Sequence, residues 1–185
     1  MPTSKQPINP WTRAVLSPGN RQRLLAAAQV LRLAGGKAQP LRGRHVAVVC
    51  EAPHSASAEV FASAAAALGA GVAHLRPSAL QLIDKQTRRD TASALGRLYA
   101  AIECDGVAPS VVAVLRRFAG VPVFSAVAEA THPTWLLADQ WTAQQLADDA
   151  AAGTTGVRPT SAERHAANHG GLVQALLSAS IADDL

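Results

Sequence analysis

Four short apolar runs, whose starts lie about 20 to 30 residues apart, constrain the fold of this chain more than any other feature. A segment with helical periodicity follows each of the first three runs. Parallel strands need a crossover of this length, usually a helix, whereas antiparallel strands can be joined by a tight turn. The pattern therefore predicts an α/β fold, with a four-stranded parallel sheet covered by helices on both faces. The predicted strands are 44–50, 72–75, 100–104 and 121–126, and the helices between them are 55–68, about 87–99 and 109–119.

The segments on either side of this pattern indicate the domain organisation. A helix is predicted to begin at Ser17-Pro18, with a capping hydroxyl and a proline at its first position, and to end at Gly35-Gly36. Before it, three prolines and a lack of periodicity predict an arm without regular structure. We divide the chain into a flexible arm (1–16), an α/β domain (17–152), a linker rich in Gly, Thr and Pro (153–160) and a last helical segment (161–185).

Composition narrows the class of protein. With 185 residues, 49% of them hydrophobic, the chain can bury one sizeable core. No stretch approaches the roughly 18 uninterrupted apolar residues of a membrane span, and the N-terminus lacks the pattern of a secretory signal. We therefore expect no membrane contact and a cytoplasmic location. Cys50 and Cys104 lie in or beside predicted strands, and we expect them to be reduced core residues.

The net charge of +4 is unevenly distributed. Residues 1–44 carry eight Lys or Arg and no acidic residue, which leaves the remainder at 9 − 13 = −4. Most of these cations fall on and around the first predicted helix, without the interleaved aromatic residues that stack on bases. We therefore expect no nucleic-acid partner.

The stretch "EAPHSASAEVF", directly after the strand "HVAVVC", suggests a ligand site. A strand that leads into a helix beginning with Ser55 and Ser57 places free backbone N–H groups and hydroxyls where α/β proteins hold anions. The alternative is that both serines only cap the helix. His54, in the turn before it, either contacts an anion or fills the turn.

Several motifs together resemble the carbamoyl-phosphate-binding domain of the aspartate and ornithine carbamoyltransferases, over residues 17 to 150. The most specific is His132-Pro133 followed by "LAD" at 137–139 and by Thr142, which matches the family pattern H-P-x-Q-x-L-A-D-x-x-T. The final run "AANHGGLVQALLSASI" resembles the helix that packs back on this domain in the family. The resemblance implies that linker 153–160 replaces the amino-acid-binding domain that separates these segments in the family.

The chain differs from the family pattern at the residues that bind the phosphate. Aligned with the family signature S-T-R-T-R, residues 54–58 place Ala56 and Ala58 at the two arginines. A third family arginine falls near Asp105. A hydrogen bond to a charged group is worth about 1.5 to 3 kcal/mol, so three missing arginines remove roughly 4 to 9 kcal/mol. That is about a thousandfold to a millionfold in affinity, so we expect carbamoyl phosphate to bind only weakly.

The resemblance also implies roles for individual residues. In the family the histidine of H-P-x-Q polarises the substrate carbonyl, which makes His132 the candidate catalytic residue. Alternatively, His132 only fixes the turn into a long helix that is predicted to begin near Pro133. Trp135 stands at the glutamine position and either fills the emptied pocket or packs in the core. The candidate anion contacts are His54, Ser55, Ser57 and Thr87, the last from the segment aligned with the loop that reaches a neighbouring subunit.

The residue spacing and the family resemblance also lead to expectations about cofactors and partners. Cys50, His54, Cys104 and His132 all come from strand ends, but their spacing matches no zinc motif, and we expect neither a metal nor a cofactor. The leading hypothesis is a catalytically inactive binding or assembly module that forms a homotrimer or joins a paralogous carbamoyltransferase. The alternative is a transferase-like subunit that binds another small anion or acylphosphate together with a partner chain.

Overall fold

A computed structural model describes residue 11 and residues 16–80, 85–152 and 158–182. Element boundaries agree with the predicted ones to within one or two residues. The helices of the described residues are α1 (Pro18–Leu33), α2 (Ala56–Ala67), α3 (Lys85–Leu98), α4 (Pro109–Phe118), α5 (Pro133–Ala151) and α6 (Ser161–Ala182). The strands are β1 (His45–Val49), β2 (Gly71–Leu75), β3 (Ala101–Cys104) and β4 (Val123–Ser125), and a 3₁₀ turn (Pro77–Leu80) follows β2.

The four strands form one parallel sheet in the order β2-β1-β3-β4. β1 and β3 lie side by side in the centre, with Val48 opposite Glu103. After β1 the chain runs outward to β2, and only then returns to β3 on the other side of β1. The gap between the C-terminal ends of β1 and β3 is therefore a topological switch point, which is where open α/β sheets bind ligands.

Helices cover both faces of the sheet, as predicted. One core, on the face of α1, α2, α5 and α6, includes Phe61, Phe124 and Leu176. The other, under α3 and α4, includes Ile102 and Leu115. Because both faces are buried, the strands are nearly continuous apolar runs without the alternation of a half-exposed sheet.

The last helix, α6, packs against α1, α2 and α5. It begins with a capping box, in which the Thr160 amide donates to Glu163 (2.8 Å) and the Glu163 amide donates to the Thr160 hydroxyl (3.2 Å). Arg164 then forms an ion pair with Asp149 of α5 (2.9 Å). These contacts hold α5 and α6 as an antiparallel pair across the short connection between them.

The predicted arm and linker lie largely outside the described residues. Within the arm, the side chains of Trp11 and Leu16 are described, and both are buried in the core on the α1 face. At these two positions the chain packs on the domain. None of the described helices is long and apolar enough to span a membrane.

Candidate functional site

Ser55 is the N-cap residue of α2 at the switch point, and its side chain contacts the residue that directly follows β3. Its extended backbone (φ −69°, ψ 153°) is that of an N-cap residue, but its side chain makes no capping hydrogen bond. The Ser55 hydroxyl instead donates to the carboxylate of Asp105, directly after β3. The capping interpretation was therefore right about the position of Ser55 and wrong about its contact. Because the Ser55 hydroxyl donates its hydrogen to Asp105, that hydrogen is not available to a bound anion.

Ser57 lies two residues further along the chain, in the first turn of α2, and is buried. Its hydroxyl oxygen accepts a hydrogen bond from the amide of Ala128 (3.0 Å), in the loop between β4 and α5. Capping is not its role either, because this contact joins α2 to another loop. Since the amide is the donor, the Ser57 hydroxyl still has a hydrogen to donate.

Glu103 is a buried acid in the middle of β3, with no exposed surface. Its Oε1 accepts from the amide of Val127 (3.2 Å), and its Oε2 has no hydrogen-bond partner among the described residues. The pKa of Glu103 is raised to about 8, mainly by burial and also by the charge of Asp105, although the loop amides and Arg116 oppose the rise. At neutral pH this carboxyl is therefore mostly protonated. It was missed from the sequence, although a Glu within an apolar central strand was a usable signal.

The groups around the end of β1 make this edge of the sheet acidic. The pKa of the Cys50 thiol is raised by burial first, and then by the charges of Asp105, Glu51 and Glu103. The nearby cation is Arg116 of α4, whose Nε donates to the backbone of β4 and whose charge lowers the pKa of Glu103. The resemblance placed an acid, Asp105, near one family arginine, and in the structure a second, buried acid, Glu103, lies two residues earlier, within β3.

His132 is the N-cap residue of α5. Its Nδ1 accepts from the amide of Thr134 (3.3 Å) and lies 2.7 Å from the Thr134 hydroxyl oxygen. Because an amide can only donate, Nδ1 is unprotonated and the neutral ring carries its hydrogen on Nε2. Burial, and after it the charges of His169 and Arg116, lower the pKa of His132 to about 4. At neutral pH the ring is therefore an uncharged donor, able to polarise a carbonyl or phosphoryl oxygen.

The last helix supports His132 through Thr134. Nε2 of His169 lies 3.0 Å from the Val127 carbonyl and 3.3 Å from the Thr134 hydroxyl oxygen. Because a carbonyl can only accept, His169 carries its hydrogen on Nε2, and Thr134 accepts from it while donating to His132. His169 was not identified from the sequence, because its contacts join segments more than 30 residues apart.

The loop between β4 and α5 is thus held from three sides. Glu103 of β3, Ser57 of α2 and His169 of α6 bond its backbone at Val127 and Ala128. Ala126, at its start, has φ 54°. This left-handed conformation costs a residue with a Cβ roughly 1–2 kcal/mol. The three anchors hold the loop in this conformation, and so position His132 at its end.

The remaining candidate residues lie apart from these contacts. The His54 side chain is 92% exposed and lies 3.4 Å from Glu59. Thr87 is half-buried near the start of α3, on the opposite face of the sheet from α2. Trp135 is half-buried and packs on His165 and His169 of α6, with ring centroids 4.5 and 5.2 Å apart.

The residues considered for zinc do not converge. Cys50 and Cys104 belong to the cores on opposite faces of the sheet. In the part of the chain that the structure describes, no three His, Cys, Asp or Glu side chains are arranged to hold a metal ion.

Comparison with known proteins agrees with the resemblance found in the sequence. The model of the family described as "Aspartate/ornithine carbamoyltransferase, carbamoyl-P binding domain" matches residues 12–145. Over 114 residues the chain is 37% identical to the catabolic ornithine carbamoyltransferase of Pseudomonas putida, covering 62% of this chain and 34% of that protein. Over 106 residues it is 41% identical to the ornithine carbamoyltransferase of Actinobacillus pleuropneumoniae, covering 57% and 32%. The chain thus spans about a third of the length of these curated relatives.

Solved structures extend the agreement to the fold. The ornithine carbamoyltransferase of Pyrococcus furiosus superposes with a TM-score of 0.58 at 26% identity, covering 70% of this chain and 42% of that one. The anabolic enzyme of Campylobacter jejuni gives 0.60 at 23% identity, covering 74% and 44%. Since the family model covers well over half of the chain, this protein belongs to the aspartate/ornithine carbamoyltransferase family, in its carbamoyl-phosphate-binding domain.

Proposed function

We propose that this domain acts as a carbamoyltransferase-derived binding or assembly module and is catalytically inactive on its own. The observation that carries the proposal is the Ser55–Asp105 contact, which places a carboxylate at the helix start that would receive a phosphate. Two like charges 4 Å apart repel by about 4 kcal/mol at an effective dielectric constant of about 20. The helix dipole stabilises a bound anion by only about 0.3–1 kcal/mol, which is less than this repulsion. Carbamoyl phosphate is therefore expected to bind poorly.

The connection between α5 and α6 supports the loss of catalysis. Only residues 152–160 join the two helices, and Asp149 pairs with Arg164 on the far side of that connection. These nine residues are too few to form the amino-acid-binding domain that the family resemblance implies between these helices in the full enzymes. Without it, no group orients an attacking amine, and positioning supplies much of the rate of such a transfer.

The partner in this proposal is either further copies of the chain, as a homotrimer, or a paralogous full-length carbamoyltransferase in a mixed trimer. The proposal places the protein in the cytoplasm, a reducing compartment that is compatible with the free thiols of Cys50 and Cys104. Light scattering after size exclusion tests the assembly. A trimer of this chain alone, or a new species on mixing with a full-length ornithine carbamoyltransferase from the same genome, is expected. A monomer in both samples at micromolar concentration contradicts the assembly role.

A second candidate function is binding of a different small anion or acylphosphate, completed by a partner chain. His132 favours it, because its neutral ring keeps an Nε2 hydrogen to donate beside the loop anchored by Ser57. Thermal-shift titrations with phosphate, sulfate and carbamoyl phosphate test this candidate, since a ligand that binds only the folded state must raise the melting temperature. An unchanged melting temperature with all three at millimolar concentration eliminates it.

A further inference from the structure

A cavity of about 270 Å³ lies between α1, α5 and α6, away from the candidate site. It adjoins Ala67 and Leu68 at the C-terminal end of α2, whereas Ser55 is at the opposite end of that helix. The space exists because seven of its thirteen lining residues are Gly or Ala. An apolar cavity of about 150 Å³ can hold benzene, so this volume suffices for a substituted aromatic ring.

The lining is apolar with a single charge. Leu31, Leu68 and Trp141 supply the large apolar side chains, and Arg32 is the one charged residue, with no acidic residue in the lining. The Arg32 guanidinium lies 5.2 Å from the centroid of the Trp141 ring, a cation–π arrangement that holds the charge beside the aromatic surface. The neighbouring sequence strengthens the positive potential, since residues 16–44 contain six Lys or Arg and no Asp or Glu.

The neutral polar groups of the lining add one more contact. Asn168 uses Nδ2 to donate to Thr142 and to Gln145, each at 3.0 Å, so both of its amide hydrogens are committed. Gln174 therefore supplies the carboxamide that can donate to a ligand. One guanidinium and one amide suit a carboxylate, whereas a phosphate dianion would leave a charge unpaired in an apolar space.

We propose that this cavity binds a small monoanion with a flat apolar body, such as an aromatic monocarboxylate. The ring packs against Trp141 and Leu31, and the carboxylate pairs with Arg32. This site does not depend on the proposed assembly role or on the groups at the switch point.

Titration of the ¹⁵N-labelled full chain with sodium benzoate, followed by NMR, tests the proposal, with benzyl alcohol and benzylamine as neutral and cationic probes of similar size. Saturable shifts of the Trp141 indole and Gly171 amide signals are expected with benzoate. Benzyl alcohol should bind up to about fivefold more weakly, because it lacks the ion pair with the exposed Arg32. Benzylamine should bind more weakly still.

Two glycines of α6 provide a matched pair of variants. A Cβ at Gly171, which lines the cavity, would meet only Ala28 Cβ at 4.0 Å, whereas one at Gly170 would meet nothing within 4 Å. Gly171→Leu should fill the cavity and abolish the benzoate shifts, while Gly170→Leu should leave them unchanged. Arg32→Gln should weaken benzoate by up to about fivefold, because the Arg32 side chain is exposed and its ion pair is screened by solvent, and should leave benzyl alcohol unaffected.

Three results would overturn this assignment. The first is the absence of saturable shifts with millimolar benzoate, and the second is equal binding of benzylamine. The third is concentration-dependent self-association that Gly171→Leu removes, which would make a second copy of the chain the occupant. Circular dichroism of each variant confirms that a lost signal is not a lost fold.

Discussion

Glu103→Gln is the substitution that most sharply tests the electrostatics of the switch point. In the folded chain the pKa of Glu103 is about 8, against an ordinary value of 4.5, because the carboxyl is fully buried. Between these two values the folded state keeps a proton that the unfolded chain has released. Stability contributed by this proton is therefore present at low pH and is lost as pH rises through 8. The side chain of Gln does not titrate, so the free energy of unfolding of Glu103→Gln does not fall in this way as pH rises.

The size of the effect follows from the pKa of about 8. At pH 7 the bound proton stabilises the folded state by RT ln 11, or about 1.4 kcal/mol, relative to the ionised form. At pH 9 the same term is about 0.1 kcal/mol. The free energy of unfolding of the wild type should therefore fall about 1.4 kcal/mol further than that of Glu103→Gln between these pH values.

The interval from pH 7 to 9 lies above the pH range in which the buried His132 and His169 affect stability. The pKa values of His132 and His169 are lowered from 6.5, so the stability linked to these rings is present above pH 6.5 and is lost as pH falls below it. The buried thiols of Cys50 and Cys104 also have raised pKa values, first because of burial, and the charge of Glu103 adds to both rises. The contribution of these thiols near pH 9 therefore has the same sign as that of Glu103 and does not reverse the expected difference.

Urea unfolding followed by circular dichroism at pH 7, 8 and 9 measures the difference. Glu129→Gln, at an exposed carboxylate in the loop before α5, is the matched control and should follow the wild type. Parallel curves for the wild type and Glu103→Gln would refute the conclusion that Glu103 is buried in its protonated form.

Other predictions concern packing and the histidine network. Gly96→Ala should lower the free energy of unfolding by about 2 kcal/mol or more, because its Cβ would lie 1.5 Å from the carbonyl oxygen of Ala119; urea titration checks this. Gly170→Ala, with open space around its Cβ, should be as stable as the wild type or up to about 1 kcal/mol more stable, and equal losses in both would contradict the close packing. In ¹⁵N NMR titrations His132 should stay neutral down to about pH 5, and His169→Ala should raise its pKa by removing a neighbouring charge and admitting water. A wild-type His132 that titrates near 6.5 would contradict its burial.

The fold could be predicted from the sequence because its determinants are local or periodic. Apolar runs that alternate with helical segments specify parallel pairing, and residues such as Pro18 and Pro133 mark helix starts that the structure confirms. The strand order could not be predicted in this way. It depends on which side of β1 each crossover packs, and no short stretch of sequence encodes that.

The site was predicted less completely, because its contacts are tertiary. From the sequence, Ser55 was interpreted as a helix cap or an anion contact. Its hydrogen-bond partner in the structure, Asp105, lies 50 residues away along the chain. Glu103 and His169 carry signals in the sequence, a charge in a buried strand and a histidine in the last helix. Their roles depend on the loop amide and carbonyl of Val127, which only the fold brings to them.

Isothermal titration calorimetry of the full chain with freshly prepared carbamoyl phosphate tests most directly whether the acidic switch point has lost the family ligand. With Asp105 bonded to Ser55 at the start of α2, no saturable heat is expected up to millimolar ligand. A saturable isotherm with a micromolar dissociation constant would contradict this expectation and would identify a working carbamoyl-phosphate site.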